Sequence, residues 1–200
     1  MEAAGGAPLL GEPLPIELAN TAYAVRGQPR DGLQTTAHLA AWLREVGSSE
    51  VASGEVASGE MRTTPTAADL ATARRLRDAI RTIAAAIVRG DQPDDAAVAT
   101  LNSCAVSTRQ WRELQPRPDL RVVPRTDGTH SAAALSEIAA NAIELFGGPF
   151  RTELRACAGP GCVLFFLKDR PRRQWCSPGC GNRARAARHY ARARESDPTS

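Results

Sequence analysis

The sequence predicts an α+β protein: a predominantly helical N-terminal domain followed by a small C-terminal module folded around four cysteines. Three observations carry this. Apolar residues recur at helical spacing in several segments before residue 147. Two short strand-like runs flank a proline turn in the middle of the chain. Four of the five cysteines fall between Cys157 and Cys180, behind Gly147-Gly148-Pro149, a helix stop that marks the domain boundary. The 200 residues, 42% of them hydrophobic, suffice for a packed core.

Residues 1–12 read as a flexible start, and residues 13–149 as the N-terminal domain. In PIELANTAY, Ile16 and Leu18 alternate, which predicts a short strand before a turn at Asn20 and Thr21. TTAHLAAWLREVG carries Leu39, Trp42, Leu43 and Val46 at helical spacing and predicts a helix ending at Gly47. Residues 48–65 form a loop that contains VASGE twice in tandem, too short and too polar for a solenoid repeat.

From Thr66 a helical stripe of Leu70, Leu76, Ile80, Ile83 and Ile87 runs to Gly90, opened by Thr66 and Asp69 as a capping box. Its arginines, Arg74, Arg75, Arg77 and Arg81, read as a solvated face, with a nucleic-acid surface as the rival. Pro93-Asp94-Asp95 opens a shorter helix that runs to Cys104, which reads as a small buried hydrophobe. RQWRELQ and LRVVPRT around PRPD predict a β-hairpin, and Ser131–Phe146 a further helix.

Several function classes find no support. Residues 1–149 contain no P-loop, no GxSxG, no HExxH and no glycine-rich dinucleotide fingerprint, so no enzyme is expected. No apolar run reaches the roughly 18 residues of a membrane span and no signal peptide is evident, so a cytoplasmic protein is expected. The net charge of +3 is unevenly placed: residues 150–200 hold eleven Lys/Arg against four Asp/Glu, and residues 1–149 fourteen against eighteen. A basic module on a mildly acidic body points to a polyanionic partner.

The clustered cysteines fall as C-x(4)-C, thirteen residues, then C-x(3)-C. Such spacing suits a metal better than disulfides in a chain without a secretory signal. Cys157-Ala-Gly-Pro-Gly-Cys162 can curl two thiolates toward one ion, Val163–Leu167 predicts a strand, and Gln174-Trp175-Cys176 predicts the returning strand. Ser177 and Pro178 suit the N-cap and first position of a helix, which places Cys180 in its first turn. Knuckle, hairpin and helix describe a treble-clef-like site in which Cys157, Cys162, Cys176 and Cys180 hold one structural Zn²⁺. Along the last helix, Cys180, Ala184, Ala187 and Ala191 share the inner stripe, while Arg185, Arg188 and Arg192 lie opposite with His189 beside them.

The segment from RACAGPGC to CGNRARAARHYARAR resembles the CGNR zinc finger of bacterial transcription regulators, over roughly residues 150–195. IELANT at residues 16–21 is similar to the opening motif, LDF-x-NT, of the ABATE domain that precedes the finger in that family, with Glu17 and Leu18 in place of Asp and Phe. The chain also has three rather than four residues between its last two cysteines, and Lys168-Asp169-Arg170 where Asp-Ser/Thr-Arg is usual. The resemblance implies zinc on the four cysteines and double-stranded DNA as partner for the helix that begins at Cys180. Asn182 and Arg183 are carried over as a structural or DNA-contact pair, without a choice between the two.

These readings lead to a transcription regulator whose N-terminal domain senses a small-molecule effector or mediates homodimerisation, with Asn182, Arg183, Arg185, Arg188 and Arg192 toward DNA. The alternative is a zinc-stabilised RNA-binding or protein-interaction module. Residues 196–200 read as a flexible tail.

Overall fold

The computed structural model describes residues 6–50 and 64–195, the side chains of 48–50 and 193–195 excepted. The duplicated VASGE at 51–60, most of the expected 48–65 loop, residues 1–5 and the tail 196–200 lie outside the described residues. The elements run α1 (Leu14–Ala19), β1 (Ala22–Val25), β2 (Gln28–Asp31), α2 (Thr36–Glu50), α3 (Ala67–Arg89), α4 (Asp95–Ala105), β3 (Gln110–Gln115), β4 (Arg121–Thr126) and α5 (His130–Gly147). A 3₁₀ turn (Pro149–Glu153), β5 (Leu154–Ala156), β6 (Phe165–Leu167) and α6 (Pro178–Glu195) follow. Mixed helix and strand, with helices dominating the N-terminal part, is the class the sequence predicts.

Helix α3 is the spine. Thr66 and Asp69 close the expected capping box, with Asp69 N donating to Thr66 Oγ1 at 3.1 Å and Thr66 N to Asp69 Oδ2 at 2.8 Å. At the far end Gly90 takes the left-handed conformation of a helix stop. Leu76 and Ile80 are fully buried, each contributing about 1.5–3 kcal/mol by its burial. Helices α4 and α5 pack beside α3, capped by Asp94 and Thr129. Cys104 joins the core, and burial pushes its thiol pKa up.

Several expectations for the N-terminal part are corrected. The short strand predicted around Ile16 and Leu18, before a turn at Asn20 and Thr21, is instead the helix α1, with Pro15 in its first turn. Ile16, Leu18 and Ala19 are all 0% exposed; a short helix buried on every side has no period for a pattern to display. Within the segment read as a flexible start, Ala7 is buried, and Leu10 N and Glu12 N both donate to Glu17 Oε1 at 2.8 Å. Helix α2 runs three residues past Gly47.

The arginine face of α3 is a further correction, since only Arg75 of the four is exposed. Arg74 donates to the carbonyls of Leu33 (2.8 Å) and Gln34 (3.0 Å), and Arg77 pairs with Asp31 at 2.6 Å. Arg81 donates to the carbonyls of Ala19 (2.8 Å), Ala22 (3.0 Å) and Val163 (3.1 Å). This face is covered by α1, the β1–β2 hairpin and the cysteine module, and the guanidiniums supply donors to backbone carbonyls that those elements leave over.

Two hairpins stand outside the helical body. β1 and β2, which no expectation covered, turn at Arg26 and Gly27, both at positive φ (53° and 78°). That turn geometry matches the strand twist of a two-residue hairpin. β3 and β4 pair as expected, from Gln110↔Thr126 to Gln115↔Arg121, and leave Trp111, Leu114, Leu120 and Val122 about half exposed or more.

Candidate metal centre

Apolar packing continues past Gly147-Gly148-Pro149, because Leu154 of β5 and Phe165 of β6 belong to the main core. β5 and β6 pair antiparallel in the register Leu154↔Leu167, Arg155↔Phe166, Ala156↔Phe165. The expected return strand at 174–176 is absent, and β5 is the partner of β6 instead. Arg173 explains the difference. Its guanidinium donates to the carbonyls of Leu167 (3.1 Å), Trp175 (3.3 Å) and Cys176 (3.2 Å), and lies 4.7 Å from the Phe166 ring centre. One side chain thereby holds the 168–176 turn that a ladder was expected to hold.

Cys157 follows β5, Cys162 precedes β6, and Cys176 and Cys180 bracket the start of α6. Backbone bonds set the knuckle: Cys157 N donates to Leu164 O at 2.9 Å and Cys162 N to Gly159 O at 3.0 Å. A Cβ on Gly159 would lie 3.0 Å from Cys180 Cβ, so a side chain there would crowd the sulfur cluster. Ser177 caps α6 as expected, its Oγ accepting from Cys180 N at 3.3 Å.

All four sulfurs lie within 4.8 Å of one another, and Cys176 Sγ stands 3.8 Å from Cys162 Sγ and 3.4 Å from Cys180 Sγ. A tetrahedral zinc at roughly 2.3 Å from each sulfur separates its ligands by about 3.8 Å. The cluster is therefore close enough to hold one Zn²⁺ on four thiolates, with no ligand position left for substrate. Bound there, the ion would act as a structural cross-link.

The donors around the sulfurs suit this. Gly159 N (3.4 Å) and Cys176 N (3.3 Å) donate to Cys157 Sγ, and Arg183 donates to Cys180 Sγ at 2.9 Å. Hydrogen bonds from Cys162 and Cys176 pull the Cys157 thiol well below its ordinary value. The bond to Cys157 pushes Cys162 upward, and bonds to Cys157 and Cys162 push Cys176 upward. Four sulfurs this close cannot all ionise alone; a divalent cation is what allows it.

The tetrad Cys180-Gly181-Asn182-Arg183 resolves residue by residue. Cys180 faces the cluster. Gly181 leaves room for the Trp175 ring, which a Cβ would approach to 3.1 Å. Asn182 Oδ1 accepts from Arg185, and Arg183 turns back to the Cys180 sulfur.

The expected inner stripe of α6 extends only as far as Ala184. Ala187 and Ala191 are exposed, as are Arg185, Arg188, His189 and Arg192, and Tyr190 is 68% exposed. The cysteine module is too small to cover a longer helix, so the later turns of α6 project from it on all sides.

Side chains to which the sequence reading gave no such role bind module to body. Asn20 Nδ2 donates to Phe165 O and Phe165 N to Asn20 Oδ1, both at 2.9 Å. Glu12 accepts from Leu167 N at 2.9 Å and pairs with Arg173 at 2.5 Å. The IELANT motif contained Asn20; nothing in the pattern distinguished Arg81, Glu12 or Arg173 from surface charge.

Comparison with known families divides the chain along similar lines. Residues 12–149 match the ABATE family, described as "Putative stress-induced transcription regulator", and residues 153–193 match the CGNR zinc finger. No curated protein matches the chain. Both resemblances drawn from the sequence hold.

Proposed function

Because this chain belongs to the ABATE family and carries a CGNR zinc finger, we propose that it is a non-enzymatic transcription regulator that binds double-stranded DNA through α6. In this reading residues 13–149 are the regulatory domain and 150–195 the DNA-binding module.

The observation that carries the proposal is the placement of α6. Ser177, Cys176 and Cys180 fix its first turn to the metal cluster, and its exposed length carries Arg185, Arg188 and Arg192. Neither Arg185 nor Arg188 pairs with a carboxylate among the described residues. A helix anchored at one end and basic along the rest suits phosphate contacts and a major groove. Arg183, engaged on Cys180, and Asn182, engaged on Arg185, are assigned to holding the start of the helix.

One finger with so few arginines gives modest affinity, so the working species is proposed to be a homodimer. The exposed Trp111, Leu114, Leu120 and Val122 of the β3–β4 hairpin support self-association. No helix among the described residues is long and apolar enough to cross a membrane, which fits the proposed cytoplasmic location. The N-terminal domain is the proposed sensor, linked to the finger by Asn20, Glu12 and Arg81.

The second reading, an RNA-binding module, draws on Tyr190, exposed beside His189 with ring centres 6.0 Å apart, where an unpaired base could stack. Selection from random duplex DNA by the zinc-loaded chain decides between them. Enrichment of a common sequence supports the regulator; retention of single-stranded RNA with no duplex enrichment supports the alternative.

A further inference from the structure

An open groove of about 680 Å³ runs between the C-terminal half of α3, helix α4 and the end of α5, and the 3₁₀ turn and β5 close it on the side of the finger. Its size falls within the range of about 300–1,000 Å³ typical of small-molecule sites. Its apolar lining includes Ile87, Leu101, Ile143, Phe146 and Leu154, beside polar groups such as Gln92 and Asn102. Ile143, near the C-terminal end of α5, is 39% exposed, large for an apolar side chain on a packed helix.

The finger side of the groove is basic. Arg155 is fixed in place by donating to the carbonyls of Thr152 (2.6 Å) and Leu154 (2.8 Å), and Arg151 stands beside it, exposed. Neither pairs with a carboxylate among the described residues. The one acid that lines the groove among those residues, Asp91, is bound to Arg89 at 2.6 Å. The uncompensated charge is therefore positive and sits at one end of an apolar trough.

We propose that this groove binds a small amphipathic carboxylate, with its anionic head on Arg151 and Arg155 and its apolar body along Ile143 and Phe146. This occupant rests on the reading of the N-terminal domain as a sensor, and it supplies that sensor with a route to the finger. Leu154 lines the groove, pairs with Leu167 of β6, and stands three residues before Cys157. A ligand seated there touches the strand that leads directly into the metal cluster.

The test is calorimetric titration of the zinc-loaded full chain, without DNA, using octanoate and 3-phenylpropanoate as probes and 1-octanol as the uncharged match. At least one acid binds at a single site, and octanoate exceeds 1-octanol by about tenfold in affinity if it is the acid that binds. Arg151→Gln abolishes the advantage of the acid and leaves the alcohol unaffected; Ile143→Glu removes binding of both. Both substituted positions are partly or wholly exposed, and zinc content with far-ultraviolet circular dichroism confirms that the variants are folded. Binding by neither acid, equal binding of octanoate and 1-octanol, or binding that survives Ile143→Glu overturns the proposal. Because DNA is absent, these results stand whether or not the chain binds DNA.

Discussion

Asn20 and Phe165, 145 residues apart, exchange two hydrogen bonds of 2.9 Å, the Asn20 amide meeting both the N–H and the C=O of the β6 backbone. A buried side chain thereby does for β6 what a neighbouring strand would do, and it does so from the end of α1. The contact joins the motif that opens the N-terminal domain to the strand that carries the finger.

Asn20→Ala leaves the Phe165 N–H and C=O buried without partners, at a cost of about 1–3 kcal/mol for each. Urea unfolding of the zinc-loaded chain should show a loss of about 2–6 kcal/mol, with faster amide exchange at Phe165. Unchanged exchange there would mean that the clamp is not what orders β6.

Arg173→Lys should weaken the finger almost as much as Arg173→Ala. The guanidinium serves Glu12 and three separate carbonyls at once, and a single ammonium cannot span them. Thermal unfolding separates this account from a simple charge effect, in which lysine would restore most of the stability.

Arg183→Ala removes the donor 2.9 Å from Cys180 Sγ. Partners of this kind are worth about tenfold in metal affinity or more. Competition against a chromophoric chelator should therefore show weaker zinc binding by about that factor. Equal zinc affinity in the variant would return Arg183 to the DNA face.

Burial pushes the Asp31 carboxyl up, but the hydrogen bond and charge of Arg77 and the Leu33 N–H outweigh it, leaving the group below its ordinary value. The sign follows from that direction. Stability from this pair is fully present above about pH 4, the unfolded value, and is lost as pH falls through the lower folded value. Asp31→Asn should flatten the acid limb of the stability profile; an acid limb identical to that of the unsubstituted chain would contradict the assignment.

Burial raises the Glu17 carboxyl, against the opposing hydrogen bonds from the Glu12 and Leu10 N–H groups. For an acid raised on folding, stability declines as pH climbs from the unfolded value to the folded one. Glu17→Gln should remove that decline between about pH 4 and the folded value while retaining an oxygen for the two N–H donors.

What was legible in the sequence is what local chemistry encodes. α3, α4 and α5 carry their stripes and their caps, and the cysteines carry their spacing. α1 was misread because its surroundings bury every face, so alternation of Ile16 and Leu18 meant nothing. The β1–β2 turn is built on Arg26-Gly27 rather than the usual Asn-Gly or Asp-Gly, and it escaped notice. Arg74 and Arg81 look like surface charge in the sequence because their acceptors are carbonyls of elements distant along the chain, Arg77 because its partner Asp31 is as distant, and Arg173 substitutes for a strand for the same reason. The length of α6 that projects from the module depends on the size of the module, which no helical period reports.

The central claim is that the zinc cluster aims the arginines of α6 at duplex DNA. Its most direct test is the salt dependence of DNA affinity for Arg188→Ala combined with Arg192→Ala, with zinc content and unfolding temperature held equal to those of the unsubstituted chain. Two lost phosphate contacts should lower the slope of log K against log salt by about 1.8 and weaken binding to all duplexes. An affinity and slope unchanged in a folded, zinc-loaded double variant would contradict the claim.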